Sequence, residues 1–152
     1  MVATGSAGSI GSTDGGAGAG YSGTPLATKL GVKDGSVVLL DRLPSGVDLG
    51  LPPAATAVRR VRAGLDVSIT FHTHLATLGK RLPVLMEHTA THGMVWVGWP
   101  KQAAVKRLGL ATDLGENAVR TLGLELGWVD VKIAAIDDVW SGLKLVRRVA
   151  DR

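Results

Sequence analysis

Cysteine is absent from the 152-residue chain, which excludes a disulfide framework, thiolate metal centres and thiol nucleophiles together. Phenylalanine and tyrosine occur once each, so few rings are present on which nucleic-acid bases could stack. No run of about 20 apolar residues could cross a bilayer, and the N-terminus lacks the charged-then-apolar pattern of a secretory leader. These absences give the expectation of a soluble cytoplasmic protein without a membrane partner. Several motifs are missing as well. There is no GxxxxGK[ST], no GxSxG and no HExxH, and GxGxxG does not follow the first apolar run. Chemistry is left to carboxylates, lysines, hydroxyls and four histidines.

What is present is enough for a core: 45% of residues are hydrophobic, and the length is that of one ordinary domain. Seventeen Lys and Arg against thirteen Asp and Glu give +4. The densest basic stretches are Arg59–Arg62, "VKR" at Val105–Arg107, and Arg147 with Arg148. None is a long basic arm, which argues against a nucleic-acid partner.

Residues 1–23 hold eight glycines and almost no large apolar side chains. They cannot bury enough surface to offset their ordering entropy, so a disordered Gly/Ser-rich tail is expected before a single domain at 24–152. A short helix is expected at "TPLATKLG", with Thr24 as N-cap, Pro25 at the first helical position and Gly31 past the end. "SVVLL" (Ser36–Leu40) reads as a buried strand. Ala57–Val61 reads as a second, poorly marked one. In Asp66–His72, Val67, Ile69 and Phe71 alternate with Ser68, Thr70 and His72, the pattern of a half-buried strand. Leu75, Leu78, Leu82 and Leu85 follow helical spacing to about Thr91, with a kink or break expected at Pro83 and an end at Gly93.

"GMVWVGWPKQ" (Gly93–Gln102) is apolar on both faces until it stops at Trp99, Pro100 and Lys101, as a central strand covered on each side would be. A helix over "TDLGENAVRTLGLELG", with Leu114, Ala118, Leu122 and Leu126 on one face, separates it from a strand at Val129–Ile136. A last strand is expected at Leu143–Val149. The earlier links are long enough for parallel crossovers, whereas "DDVWSG" is too short for anything but an antiparallel hairpin. The expected fold class is α/β: a Rossmann-like, three-layer, mostly parallel sheet with an antiparallel C-terminal hairpin strand.

In such sheets ligands bind outside the carboxyl ends of the strands. Asp41, Trp99, Lys101, Asp137, Asp138, Trp140 and Ser141 fall there, together with Arg42, His72 and His74. Asp113, Glu116 and Asn117 open the helix that faces the same crevice. Lys101 could meet an anion or pair with Asp137 or Asp138. The aspartates could equally be turn residues, and Asp113 with Glu116 has the spacing of a capping box. His72 with His74 and His88 with His92 sit at opposite ends of one helix, so no metal site is expected, and the second pair suits a helix C-terminus.

Four segments, "YSGTPLATKLGVKDG", "VWVGWPK", "TDLGENAVR" and "DDVWSGLKLVRR", resemble a bacterial family known as domain of unknown function 3052, over about Tyr21 to Arg148. That resemblance implies identity without mechanism and carries no catalytic residue or cofactor. The order of elements is also similar to the C-terminal half of class I methyltransferases that use S-adenosylmethionine. The chain departs from them in lacking a glycine-rich loop after the first strand and an acidic end to the second. From the residues alone, the expected function is a non-catalytic small-ligand or protein-binding module with an accessory or regulatory role. The alternative is a divergent S-adenosylmethionine-dependent methyltransferase-like enzyme. No cofactor is identified, the partner is an unidentified small molecule or protein, and the last two strands leave an edge on which a homodimer could form.

Overall fold

A computed structural model describes residues 24–152, in which the strongest apolar runs become the centre of one six-stranded sheet. The expected tail at 1–23 lies outside the described residues. The strands are β1 (Val37–Asp41), β2 (Thr56–Val58), β3 (Leu65–Phe71), β4 (Thr89–Pro100), β5 (Trp128–Ala135) and β6 (Trp140–Arg147). The helices are α1 (Leu26–Lys29), α2 (Leu75–Glu87), α3 (Gln102–Leu108) and α4 (Glu116–Glu125), and a short 3-10 turn spans Val149–Asp151.

The sheet order is β2-β1-β3-β4-β6-β5. β1 pairs in parallel with β2 and β3, and β3 with β4, whereas β6 is antiparallel to both β4 and β5. This is the expected mixed α/β architecture with its antiparallel closing hairpin. The hairpin folds back so that β6 inserts between β4 and β5, leaving β5 as the edge.

Two cores cover the two faces. On one, Leu78, Leu82 and Leu85 of α2 and Val119 of α4 pack on Leu39, Val95, Val97, Leu143 and Leu145. On the other, Ala27 and Leu30 from the α1 region and Leu49 from the β1–β2 loop pack on Val38, Leu40, Val67, Ile69, Phe71 and Trp96. Trp96 Nε1 donates to the Leu30 carbonyl at 2.9 Å, pinning the end of α1 to the sheet.

Some elements differ from the sequence reading. Pro25, not Thr24, is the N-cap of α1. β1 extends to Asp41, and β2 stops at Val58. Pro83 lies inside α2 without dividing it. The helix ends because His88 Nδ1 donates to the Val84 carbonyl at 2.7 Å and the Thr89 hydroxyl to the Leu85 carbonyl at 2.7 Å, so side chains satisfy its last acceptors. Gly93 is therefore not a helix end. It lies within β4, where an added Cβ would meet the Leu65 carbonyl oxygen at 2.8 Å. Helix α3, unexpected from the sequence, fills the first part of the link from β4 to β5 and ends at Gly109 in a left-handed conformation. α4 begins only at Glu116, with Gly115 as its cap, so Asp113 and Glu116 form no capping box.

Candidate functional site

The chain leaves β1 on one side towards β2 and returns on the other side as β3, so the carboxyl ends of β1 and β3 form a topological switch point. A continuous polar network stands there on the α2 side of the sheet. Asp41, the last residue of β1, is 6% exposed. Its carboxylate accepts from Arg81 Nε at 3.0 Å, from Arg81 Nη2 at 2.8 Å and from the Thr70 hydroxyl at 2.7 Å. Burial would raise the Asp41 pKa. The hydrogen bonds from Arg81 and Thr70, with the Arg81 charge, outweigh burial and hold the carboxyl below its ordinary value.

Thr70 has one hydroxyl hydrogen and gives it to Asp41, so His72 Nε2, 2.8 Å away, donates to Thr70 Oγ1. His72 Nδ1 then faces the Thr77 hydroxyl at 3.0 Å, which also lies 2.9 Å from the His74 carbonyl oxygen. His72 is 2% exposed. Burial first, then the Arg42 charge, push its pKa down to about 4, against the opposing pull of Asp41. The ring is neutral at neutral pH.

Arg42, directly after the strand, has φ of 57° and is the only non-glycine in the left-handed region among the described residues. Such a conformation costs of order 1 kcal/mol or more and persists where surroundings impose it. Here Arg42 Nε reaches the Phe71 carbonyl at 3.3 Å, tying the ends of β1 and β3 together.

On the opposite face of the sheet, the β1–β2 loop folds beside the end of β1 and borders an open concavity of about 280 Å³. Leu40, Leu43, Val47, Leu49 and Leu51 line it, with Asp48 and Arg59 also in the wall. The loop closes through an Asx turn, Asp48 Oδ1 accepting from Gly50 N at 2.9 Å.

The residues expected to form one site fall into local groups with separate partners. Asp41 joins Arg81. Trp99 is buried in the α2-side core and pairs with Ser141 across β4 and β6, and Pro100 pairs with Trp140. Trp140 packs edge-on against Phe71 at 5.3 Å. Lys101 caps α3 and donates its backbone N–H to the Val139 carbonyl at 2.8 Å. Asp137 organises the hairpin turn, accepting from Val139 N and Trp140 N at 2.8 Å each, while Asp138 is exposed. Asp113 accepts the first amide of α2, Leu75 N, at 2.7 Å. Glu116 and Asn117 hold Arg120, which also reaches Asp130 at 2.9 Å. Among the described residues, no three His, Cys, Asp or Glu side chains gather as metal ligands.

Thr70, Thr77 and Arg81 were missed by sequence reasoning. A signal existed for Arg81, which lies on α2 between the core residues Leu78 and Leu82. The polar residues of β3 misled, because β3 is covered on both faces. Ser68 and Thr70, read as a wet side, are 0% exposed.

This strand order, with an antiparallel strand inserted before the edge, defines a class I methyltransferase-like Rossmann fold. The chain superposes on an S-adenosylmethionine-dependent methyltransferase from Thiobacillus denitrificans in complex with S-adenosyl-L-homocysteine, with a TM-score of 0.53 and 12% identity, covering 81% of this chain and 89% of that one. It matches LepI in complex with S-adenosylmethionine at a TM-score of 0.52 and 12% identity, over 81% of this chain and 39% of that one. Magnesium protoporphyrin IX methyltransferase from Synechocystis, with bound S-adenosyl-L-homocysteine, matches at 0.47 and 12% identity over 62% of this chain. The chain spans 52% of the length of that methyltransferase. No family model and no curated protein matches the sequence.

The likeness corrects the expectation of a non-catalytic, accessory or regulatory binding module. That expectation took the absence of recognised motifs as a sign of lost catalysis. The same scaffold occurs in an S-adenosylmethionine-dependent methyltransferase at 12% identity, a distance at which motif inspection has little reach.

Proposed function

We propose that the chain is a divergent S-adenosylmethionine-dependent methyltransferase-like enzyme that holds its adenosyl ligand beneath the β1–β2 loop. One observation carries this reading: the apolar cavity lies at the carboxyl end of β1, beside the switch point, in a sheet of methyltransferase order. Its residues fit the group. Leu40, Leu43, Val47, Leu49 and Leu51 offer a slot for the faces of a purine, and Asp48 and Arg59 offer an acceptor and a cation at its margin. The volume of about 280 Å³ sits at the small end of ligand cavities and suits a nucleoside better than the whole molecule. The loop takes the place of a glycine-rich turn. Bound S-adenosylmethionine supplies a methyl group activated by its sulfonium for transfer to a nucleophile.

The chain's own residues hold the floor of that slot in place. Arg81, Asp41 and Thr70 lock the end of β1 to β3 and α2, and Arg42 ties β1 to Phe71. Asp41 thus acts as a positioning residue, its oxygens already engaged by Arg81 and Thr70. Lys101 and the exposed Asp138, where β4 and β5 end, are the groups we assign to meeting the second substrate. We also place the chain with domain of unknown function 3052, whose resembling segments fall at α1, the end of β4, the start of α4 and the β5–β6 hairpin.

Calorimetry with S-adenosyl-L-homocysteine tests the proposal. The expected result is saturable one-to-one binding, lost in Val47→Trp, which fills the cavity, and retained in Lys101→Ala and Asp138→Ala. Absence of heat at millimolar ligand, with the protein folded, contradicts it.

A further inference from the structure

The outer face of the β5–β6 hairpin carries a second cluster, far in sequence from the adenosyl slot. Lys132 and Lys144 are direct partners across the two strands, so their side chains leave the same face of the sheet. Like charges placed opposite one another destabilise an antiparallel pair. Among the described residues, no carboxylate forms an ion pair with either lysine. Lys144 instead sits with its ammonium 5.9 Å from the centre of the Trp96 ring. Burial lowers the Lys144 pKa and the neighbouring Lys132 charge lowers it further.

The pair stands between two concavities. Lys144 lines one of about 190 Å³ with His92, Arg147 and Arg152. Lys132 lines another of about 570 Å³ with Lys29, Thr24 and Thr28. Among the described residues, no acidic side chain lines either cavity. Arg147 is already engaged, donating to the Ala90 and Thr89 carbonyls at 2.6 and 2.8 Å and stacking over Trp128 at 4.9 Å, so it frames the first cavity. Elsewhere two half-buried arginines have carboxylate partners: Arg81 with Asp41, and Arg120 with Glu116 and Asp130.

We propose that this face is an anion site that takes a phosphate-bearing ligand, with Lys132 and Lys144 gripping it between the two cavities. Lysine binds phosphate as a point charge, and a phosphate carries more acceptor oxygens than a carboxylate to meet the surrounding ammonium and threonine donors. Phosphoryl groups of this kind are carried both by small phosphorylated molecules and by a nucleic-acid backbone.

The test is calorimetric titration of the full chain with pyrophosphate, with malonate as a dicarboxylate comparator. The expected result is saturable pyrophosphate binding that weakens with salt and falls at least tenfold in Lys132→Gln and in Lys144→Gln, but less than twofold in Lys106→Gln on α3. Pyrophosphate should raise the melting temperature of the unaltered chain and not of the two hairpin variants, which are expected to fold because each removes a repulsion. A 12-nucleotide single strand that binds more tightly per phosphate than pyrophosphate, with the same dependence on Lys132 and Lys144, assigns the source to a nucleic-acid backbone. Weaker or independent binding of that strand assigns it to a small molecule. No pyrophosphate binding at millimolar concentration, equal binding of malonate, or pyrophosphate affinity unchanged in both hairpin variants overturns the proposal. Binding of S-adenosyl-L-homocysteine is read separately and should be unaffected by either hairpin variant.

Discussion

The carboxyl end of β1 and the outer face of the β5–β6 hairpin handle charge in opposite ways. At the first, Asp41 is enclosed and each carboxylate oxygen has a donor; Arg81, Thr70 and His72 complete one network. At the second, two lysines face one another and, among the described residues, share no acidic partner in the cavity linings. The difference follows from what covers each. Beneath α2 an unpaired charge would face a desolvation cost of several kcal/mol, so the network must close internally. Over the hairpin, water can solvate the ammonium groups, and the chain keeps charges that stability alone would not select.

The largest test of this contrast is Asp41→Ala. It leaves Arg81 beneath α2 without its carboxylate, and with the Arg81 side chain 34% exposed the loss is expected at about 3 kcal/mol, the lower end for breaking a buried pair. Urea denaturation reads it directly, and a loss under about 1 kcal/mol would show that solvent takes over the role of the carboxylate.

Acid sharpens the comparison next. His72 has a folded pKa of about 4 against 6.5 unfolded, so below pH 6.5 the unfolded chain binds a proton that the folded chain refuses. The stability owed to neutral His72 is complete above pH 6.5 and disappears as pH falls to about 4, a loss of roughly 3 kcal/mol at most. Asp41, whose folded value is depressed, gives stability above its unfolded value of 3.8 that is lost only as pH falls through the lower folded one. The two windows are therefore separate. Denaturation midpoints between pH 7 and pH 4 should slope in the unaltered chain and flatten in His72→Gln.

Gly98→Ala perturbs the same edge through packing. Its Cβ would meet Phe71 Cδ2 at 2.9 Å and press on the Phe71–Trp140 contact, for an expected cost of about 1–3 kcal/mol by thermal melting. The smallest effect has the opposite sign. Lys144→Gln should stabilise the protein by a few tenths of a kcal/mol at low salt, with the gain fading as salt is added. A loss of stability there would mean that the Trp96 contact outweighs repulsion from Lys132.

Much of the scaffold was legible. β4 announced itself because both of its faces are apolar, and the short "DDVWSG" link left only a hairpin. Asp41 and His72 were visible as polar residues at strand ends. Their partners were hidden by distance in sequence: Arg81 lies 40 residues from Asp41, on a helix read only through its apolar positions. The alternation in β3 suggested a wet face that α2 in fact covers, which is why Thr70 escaped notice. Gly93 read as a helix end because glycine punctuates helices, whereas here it is required by close approach to the Leu65 backbone. The lysine pair emerged only once β6 was seen to run beside β5 in a register that sets 132 against 144.

The central claim, that the β1–β2 loop holds an adenosyl ligand, is tested most directly by amide chemical-shift mapping of the full chain with S-adenosyl-L-homocysteine. The account predicts saturable shifts concentrated at residues 40–51 and at Arg59, with Lys132 and Lys144 unmoved. Shifts that avoid the loop, or no shifts at millimolar ligand, would contradict it.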